Sequence, residues 1–279
     1  PQLEAGSALS FTSASGTYVT FGDPAKLDLG LFTIETWFKR TGVGTPNTTG
    51  SDGFTSALPL VTHGSPESEG GTVDANWMLV INDASDVIGV DFEDMATGAN
   101  HPLSGVTPIV DNTWYHAAAT FDGTTMRLYL NGKLESSLVT GALPRSDTTQ
   151  QAALGTMITT TGTPNGYFQG VLDEPRVWNR ALLQTEIIAN INHQVTSGSG
   201  LVARWGLNEG TGTAVGDSIA TAVNSTITGS NFAWVPGAPF DLTLTPDAPT
   251  LIAPANAATN VAVSTPLTVH VSDPRDSNL

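Results

Sequence analysis

The sequence contains no cysteine in its 279 residues. That excludes a disulfide framework, a thiol nucleophile and a thiolate zinc site together. Charge is scarce as well, since only 13% of the residues are Asp, Glu, Lys or Arg. Basic residues number 10 against 26 acidic ones, a formal net charge of −16. Nucleic acid is held through Lys and Arg on its phosphates, so it is excluded as a partner, and docking on anionic lipid is excluded for the same reason. No stretch approaches the roughly 18 consecutive apolar residues of a spanning helix, so membrane insertion by that route is excluded too. The five histidines, His63, His101, His116, His193 and His270, show no i,i+4 pair and no His-Glu-x-x-His, which argues against zinc or histidine catalysis. Neither a G-x-S-x-G elbow nor a phosphate-binding glycine loop is present.

Gly, Pro, Thr and Val take the place of charge. With 29 Gly, 17 Pro and 39% hydrophobic residues, the composition is that of a turn-rich globular β-protein. Residues 8–21, "ALSFTSASGTYVTF", read as two strands around a Ser/Gly turn. "FTIETWFKR" (32–40) alternates with a period of two, and the polar run "TGVGTPNTTGSDGFTS" (41–56) reads as a mobile surface loop. "NWMLVIN" (76–82) and "VIGVDFED" (87–94) predict a hairpin, and "TWYHAAATFDGTTMRLYLNGK" (113–133) predicts another, with Asp-Gly and Asn-Gly at its turns. Helical spacing is confined to 181–194, where Ala181, Leu182, Ile187, Ile188 and Ile191 recur at three and four residues. From Pro236 the sequence turns Pro- and Ala-rich and resumes strand character only at "VAVSTPLTVHV" (261–271). Some 30 residues cannot bury a core alone, and we read the chain as a piece of something longer.

The segment Phe168–Ile187, "FQGVLDEPRVWNRALLQTEI", places Asp173 and Glu174 in a strand that otherwise reads as buried. An ionised side chain removed from water needs a partner. Arg176 reaching back would serve, and so would a bound cation. Pro175 removes a ladder donor, which predicts a sheet edge or a bulge at that point.

In their order, "ALSFTSASGTYVTFG", "FTIETWFKR", "WYHAAATFDGTTMRLYLNGK" and "GYFQGVLDEPRVWNRALLQTEI" resemble the laminin G-like, concanavalin A-type jelly roll of bacterial secreted proteins, over about residues 8–190. The resemblance implies an all-β fold, a two-sheet antiparallel jelly-roll sandwich with one short helix after the Asp173 strand. Members usually carry a segment like "GLVARWGLNEGTGTAVGDS" ahead of these strands. Here it stands at 200–218, so we read 200–235 as a closing, permuted strand segment of a domain covering 1–240. Residues 241–279 resemble a linker and the opening strands of a truncated bacterial immunoglobulin-like domain.

Related β-glucanases carry a D-x-V-R-V-Y strand whose Asp binds structural Ca²⁺, and "DEPRVW" matches at Asp173, Arg176, Val177 and Trp178. The resemblance therefore implies calcium at Asp173, with Asp23 in "FGDP" as the next ligand. The run "VDFEDMATGANHP" (90–102) gathers Asp91, Glu93, Asp94, Asn100 and His101. Glu93, Asp94 and Asn100 are candidates for a second calcium site at the sandwich rim, and Asp91 and His101 for ligand contact. Asp74 and Asn76 would lie across from them in a hairpin. Trp37 alternates with Glu35 and Lys39, and Trp77 follows Asn76, so these two rings are the candidates for stacking on a sugar.

No catalytic residue is assigned. A glycosidase needs two carboxylates on a common face, whereas Asp91, Glu93 and Asp94 alternate between faces and Glu67-x-Glu69 lies in a Gly/Ser/Pro loop. The expected function is non-catalytic binding of an extracellular polysaccharide or glycan, stabilised by Ca²⁺, within a secreted or cell-surface protein. The rival is a structural or adhesive subunit of a surface fibre, copies joining by strand donation. A degenerate glycosidase is the third reading.

Overall fold

The computed structural model describes residues 6–67 and 70–242, with the backbone of two further short strands. In chain order the first strands are β1 (Ser7–Phe11), β2 (Tyr18–Gly22), β3 (Phe32–Arg40), β4 (Ala57–His63), β5 (Trp77–Asn82), β6 (Val87–Asp91) and β7 (Leu103–Ser104). Next come β8 (Tyr115–Phe121), β9 (Thr125–Leu130), β10 (Lys133–Val139), β11 (Ala152–Leu154), β12 (Met157–Ile158), β13 (Pro164–Asn165) and β14 (Gly170–Trp178). Helix α1 (Gln184–Asn190) precedes β15 (Leu201–Arg204), β16 (Ala214–Val215), β17 (Ser225–Thr228) and β18 (Ala233–Pro236). Finally β19 (Thr250–Ala253) and β20 (Thr268–His270) pair with each other. The remainder of the expected immunoglobulin-like segment lies outside the described residues.

The strands form two antiparallel sheets. The first runs β10-β9-β8-β3-β14-β1-β18, with β15 also on β14, and the second runs β16-β17-β2-β11-β4-β5-β6-β7. Alternate residues of every long strand meet in one core. Leu9 and Phe11, Phe32, Ile34 and Phe38, and Leu172 and Val177 come from the first sheet, and Leu58 and Leu60, Trp77, Leu79 and Ile81 from the second. The period-two reading of these segments thus selects the inward face of each strand. The segment 200–236 supplies strands to both sheets.

The β8–β9 and β9–β10 connections follow turn chemistry. Asn131 (φ 51°) and Gly132 (φ 77°) both adopt the left-handed conformation that a tight type I′ hairpin requires. Helix α1 is shorter than its hydrophobic spacing predicts. Ala181 and Leu182 precede it, with Leu182 N–H bound to the Thr33 hydroxyl at 2.8 Å, and Leu183 is extended (ψ 154°).

Pro175 sits at a changeover in the first sheet. The N-terminal half of β14 pairs with β1 (Leu9↔Leu172), and the C-terminal half pairs with β15 (Arg176↔Arg204). Between them the register with β3 slips, from Asp173↔Trp37 to Arg176↔Glu35. Glu174, at φ 51°, is the strained residue of this bulge. The missing N–H of Pro175 therefore falls where neighbouring strands exchange, not at an edge.

A row of polar groups lies on the outer face of the first sheet around this slip, where α1, residues 190–193 and residues 238–242 cover it. Arg176 is fully buried and donates to Glu35 (3.3 Å), Glu174 (3.3 Å), Asn190 O (3.3 Å) and His193 O. Glu174 is also held by Arg204 through Nε, at 2.8 Å, and Nη2. Glu35 accepts the Trp178 indole N–H at 3.0 Å. His116 is packed with neither ring nitrogen hydrogen-bonded, and its Nε2 stands 3.5 Å from Glu35 Oε2. Burial pushes the Glu35 carboxyl up, against the pull of Arg176, and pushes the His116 ring down. Removing one member of such a network strands its partners as buried charges. We predict that Arg176→Met lowers unfolding free energy by about 3–5 kcal/mol in denaturant titration. Arg127→Ala, at the exposed Asp122 pair, should cost less than about 1 kcal/mol.

Candidate functional site

The residues proposed as metal ligands fall into three separate places. Asp173 belongs to the first sheet, on the outer face. Its Oδ2 accepts the Ala238 N–H at 2.7 Å, and its Oδ1 is buried without a partner. Burial, reinforced by Glu174 and opposed by the Ala238 hydrogen bond, pushes this carboxyl up to about 8. Arg176 serves Glu174 and Glu35 and does not form an ion pair with Asp173. Calcium takes six to eight oxygens, and Asp173 presents one open oxygen. The structure brings none of the other proposed ligands to it.

The acidic run 91–101 closes on itself. Asp91 is fully buried and accepts from Thr49 Oγ1 (2.6 Å), Asn100 Nδ2 (3.1 Å) and His101 N (2.9 Å), and burial pushes it up to about 7. Asp94 accepts from Ala96 N, Thr97 N, Thr97 Oγ1 and His101 Nε2. Glu93 accepts the Ala75 N–H. Asn100 donates to Thr49 O and keeps a buried, unpartnered Oδ1. Asp74 and Asn76 do lie alongside, but Asp74 is paired with Arg145 at 2.9 Å and Asn76 bonds both backbone groups of Leu29. The run is a hydrogen-bonded rim in which the carboxylates are already engaged.

Asp23 is brought to a different set. It follows β2, and beyond the turn at Ala25–Leu27 comes Asp28, while His63 ends β4. These three present ligand atoms within 4.8 Å of one another. His63 Nε2 lies 3.7 Å from Asp23 Oδ1, 3.9 Å from Asp28 Oδ1 and 3.0 Å from Gln150 O, and Nδ1 lies 3.2 Å from Leu27 O. The tautomer that donates Nδ1–H to Leu27 leaves the Nε2 lone pair facing the other oxygens, the arrangement of a metal-binding imidazole oriented by a backbone carbonyl. Asp28 Oδ1 is buried without a hydrogen-bond partner. Its carboxyl is pushed up to about 6, first by burial and also by Asp23 and Asp147, against the pull of His63. An orphaned oxygen beside a second carboxylate, a carbonyl and an imidazole is a donor set that fits a divalent cation. Asp28 and His63 were missed in the sequence because they are 35 positions apart. The only local signal was the second Asp of "GDPAKLD".

Both tryptophans proposed for sugar stacking are corrected. Trp37 and Trp77 are fully buried, their indole N–H groups bound to Ile191 O (2.9 Å) and Leu27 O (3.1 Å). Trp77 faces the core. Trp37 does point away from the core, as its alternation implies, but Ile191 and Ala238 cover it, with Phe240 edge-on to its ring. A ring without an exposed face cannot stack on a sugar.

The open concavity lies elsewhere, over the outer face of the second sheet. The segment 41–56, expected to be a free loop, is tied down by Thr45↔Tyr167 and Asn47↔Ala57 pairing, and Phe54 packs with Met78, Val80 and Met157. A cleft of about 400 Å³ remains, lined by Asn47, Thr48, Ser51, Glu67 and Asn165 among others. Glu67 Oε2 accepts from Gln150 Nε2 (2.9 Å), Thr160 N (2.9 Å) and Thr160 Oγ1 (2.7 Å). Partial burial raises its pKa, but these hydrogen bonds outweigh that and hold it below the usual carboxylate range. Asn165 is positioned by a 2.9 Å bond to Ser65 Oγ. Glu69 lies outside the described residues.

The raised Asp173 carboxyl gives a test of this geometry. A folded-state pKa above the unfolded value favours folding at low pH, and that contribution is lost as pH rises through the folded value. Asp173→Asn removes the titration. The variant should therefore gain stability relative to the parent between about pH 4 and pH 8, read from denaturation midpoints across that range. A pH-independent difference would show that Asp173 is not buried as described.

Comparison with known proteins places the architecture. A model of the concanavalin A-like lectin/glucanases superfamily matches residues 13–188. Among solved structures, a candidate carbohydrate-binding protein from Bacteroides ovatus has 20% identity and a TM-score of 0.59, covering 85% of this chain and 62% of its own. This chain thus spans less than two thirds of that protein's length. The heptameric SAP-like pentraxin of Limulus polyphemus has 12% identity and a TM-score of 0.53, covering 85% of this chain and 98% of its own. No protein with a curated description matches the sequence. Identities this low establish a shared fold, while the match across more than half the sequence establishes kinship: the chain belongs to the concanavalin A-like lectin/glucanases superfamily.

Proposed function

We propose that this chain is a non-catalytic carbohydrate-binding module that acts outside the cell and is steadied by a divalent cation. The observation that carries the reading is the cleft, whose polar lining consists of the amides of Asn47 and Asn165, the hydroxyls of Thr48 and Ser51, and one carboxylate, Glu67. Neutral amides and hydroxyls match sugar hydroxyls as both donors and acceptors. A retaining or inverting glycosidase needs a second carboxyl across the scissile bond, and Glu67 is the single carboxylate among the lining residues. The description of the Bacteroides ovatus protein as a candidate carbohydrate binder supports the same reading.

Asp23, Asp28, His63 and the Gln150 carbonyl would hold the cation, and its chemistry would be structural. It would tie the end of β2, the Ala25–Leu27 turn, the end of β4 and the segment leading into β11. Calcium suits the three oxygens, with water to complete its shell, and the imidazole suits a softer ion.

Two measurements test this. Polysaccharides should retard the protein in affinity electrophoresis, without release of reducing sugar. Failure across neutral, acidic and basic polysaccharides would remove the carbohydrate reading. Calcium, or zinc if the imidazole dominates, should raise the thermal midpoint at saturation by the equivalent of about 2–3 kcal/mol at a hundredfold excess over Kd. Asp28→Asn should abolish that increment, and an unchanged midpoint with either ion would remove the cation.

A further inference from the structure

The ribbon that carries Asn47 and Asn165 also carries Tyr167, whose ring meets that of Tyr18, and the one charged group among the cleft's lining residues is Glu67. Resting on the carbohydrate-binding reading, we infer that the site takes a linear, neutral oligosaccharide and rejects acidic ones. One sugar would be hydrogen-bonded by Asn47, Asn165 and Glu67, and the next would rest on Tyr167 and Tyr18.

Sequence and pairing link these groups. Tyr167 follows Asn165 by two residues, and its backbone exchanges hydrogen bonds of 2.7 and 2.8 Å with Thr45, two residues before Asn47. Thr45 and Asn47, two residues apart, thus bring Tyr167 and Asn47 to neighbouring positions of the same ribbon. Gly166, at φ +72°, lets the two segments close, since a side chain there would press on Asn47 Cβ at 3.1 Å. Tyr18, on β2, sets its ring 6.4 Å from that of Tyr167 with the planes at 41°, and both residues are partly exposed. With Trp37 and Trp77 buried, this tilted pair is the aromatic surface on which the neighbouring sugar would rest.

Charge decides the class. Sugar carboxylates and sulfates are recognised through Arg or Lys. None of the lining residues is basic, and Asp52, next to Ser51, is exposed. Glu67 is held ionised by donors that bind Oε2, and among the described residues no hydrogen bond is made to Oε1. An oxygen so placed accepts from a sugar hydroxyl and repels an anion. The overall charge of −16 adds to that repulsion at long range.

The test uses calorimetric titration of the whole chain with matched neutral and acidic oligosaccharides, such as galactan and homogalacturonan fragments, in low salt. The neutral series should bind, with affinity rising as the oligosaccharide lengthens from one sugar to three, and the acidic series should not. Tyr167→Ala should weaken binding by about tenfold and Tyr167→Phe should retain it, with unchanged thermal midpoints reporting the fold. Glu67→Lys should abolish the rejection of acidic sugars. Equal binding of both series, or indifference to Tyr167→Ala, would overturn the specificity and leave the carbohydrate-binding function standing. Loss of binding to every sugar would overturn both.

Discussion

The bulge in β14 is the constraint on which the rest of the molecule depends. A nine-residue strand at the centre of a sheet has to serve two different neighbours, β1 along its first half and β15 along its second. Pro175 makes the exchange possible by withholding a donor where no acceptor waits. The resulting slip sets Arg176 on the outer face opposite Glu35, which β3 already turns outward. These charges, with Glu174, would be costly unless each met the others. The chain from α1 to Leu242 then functions as a cover. It closes over the charges and supplies carbonyls at Asn190 and His193 to the buried guanidinium.

That cover distinguishes the two sheets. The first buries Trp37 on its outer side under residues 191 and 238–240. The second carries the 41–56 segment, residues 64–67 and the β12–β13 hairpin, and the cleft lies among them.

Much of the fold was legible in the sequence because its determinants are local. Asn131–Gly132 fixes a hairpin by backbone conformation alone, and the alternation of Phe32, Ile34 and Phe38 fixes a core face. Even the bulge was legible, since Pro175 has few ways to exist within a strand. The site was far less so. Alternation correctly placed Trp37 outward, but what covers an outward face is decided by residues 191 and 238–240, over 150 positions away. Density of Asp and Glu between 91 and 101 looked like a cation site, yet hydrogen bonds from the run itself, from Thr49 and from Ala75 engage the carboxylates. Conversely, Asp28, His63 and Gln150 meet through pairing of β11 with both β2 and β4, which no local pattern reveals.

The meeting of Gly6 and Gly237, whose backbones are joined by a 2.8 Å hydrogen bond, has a consequence for how such a unit can be built into longer chains. β1 and β18 thus lie side by side, and from their seam the chain runs on over Trp37 to Leu242, which is bound to Asn192. A pull on the chain beyond Leu242 would lift residues 238–242 from Trp37 before it loaded that seam, and would peel β18 from β1 before any force reached the cleft on the far sheet.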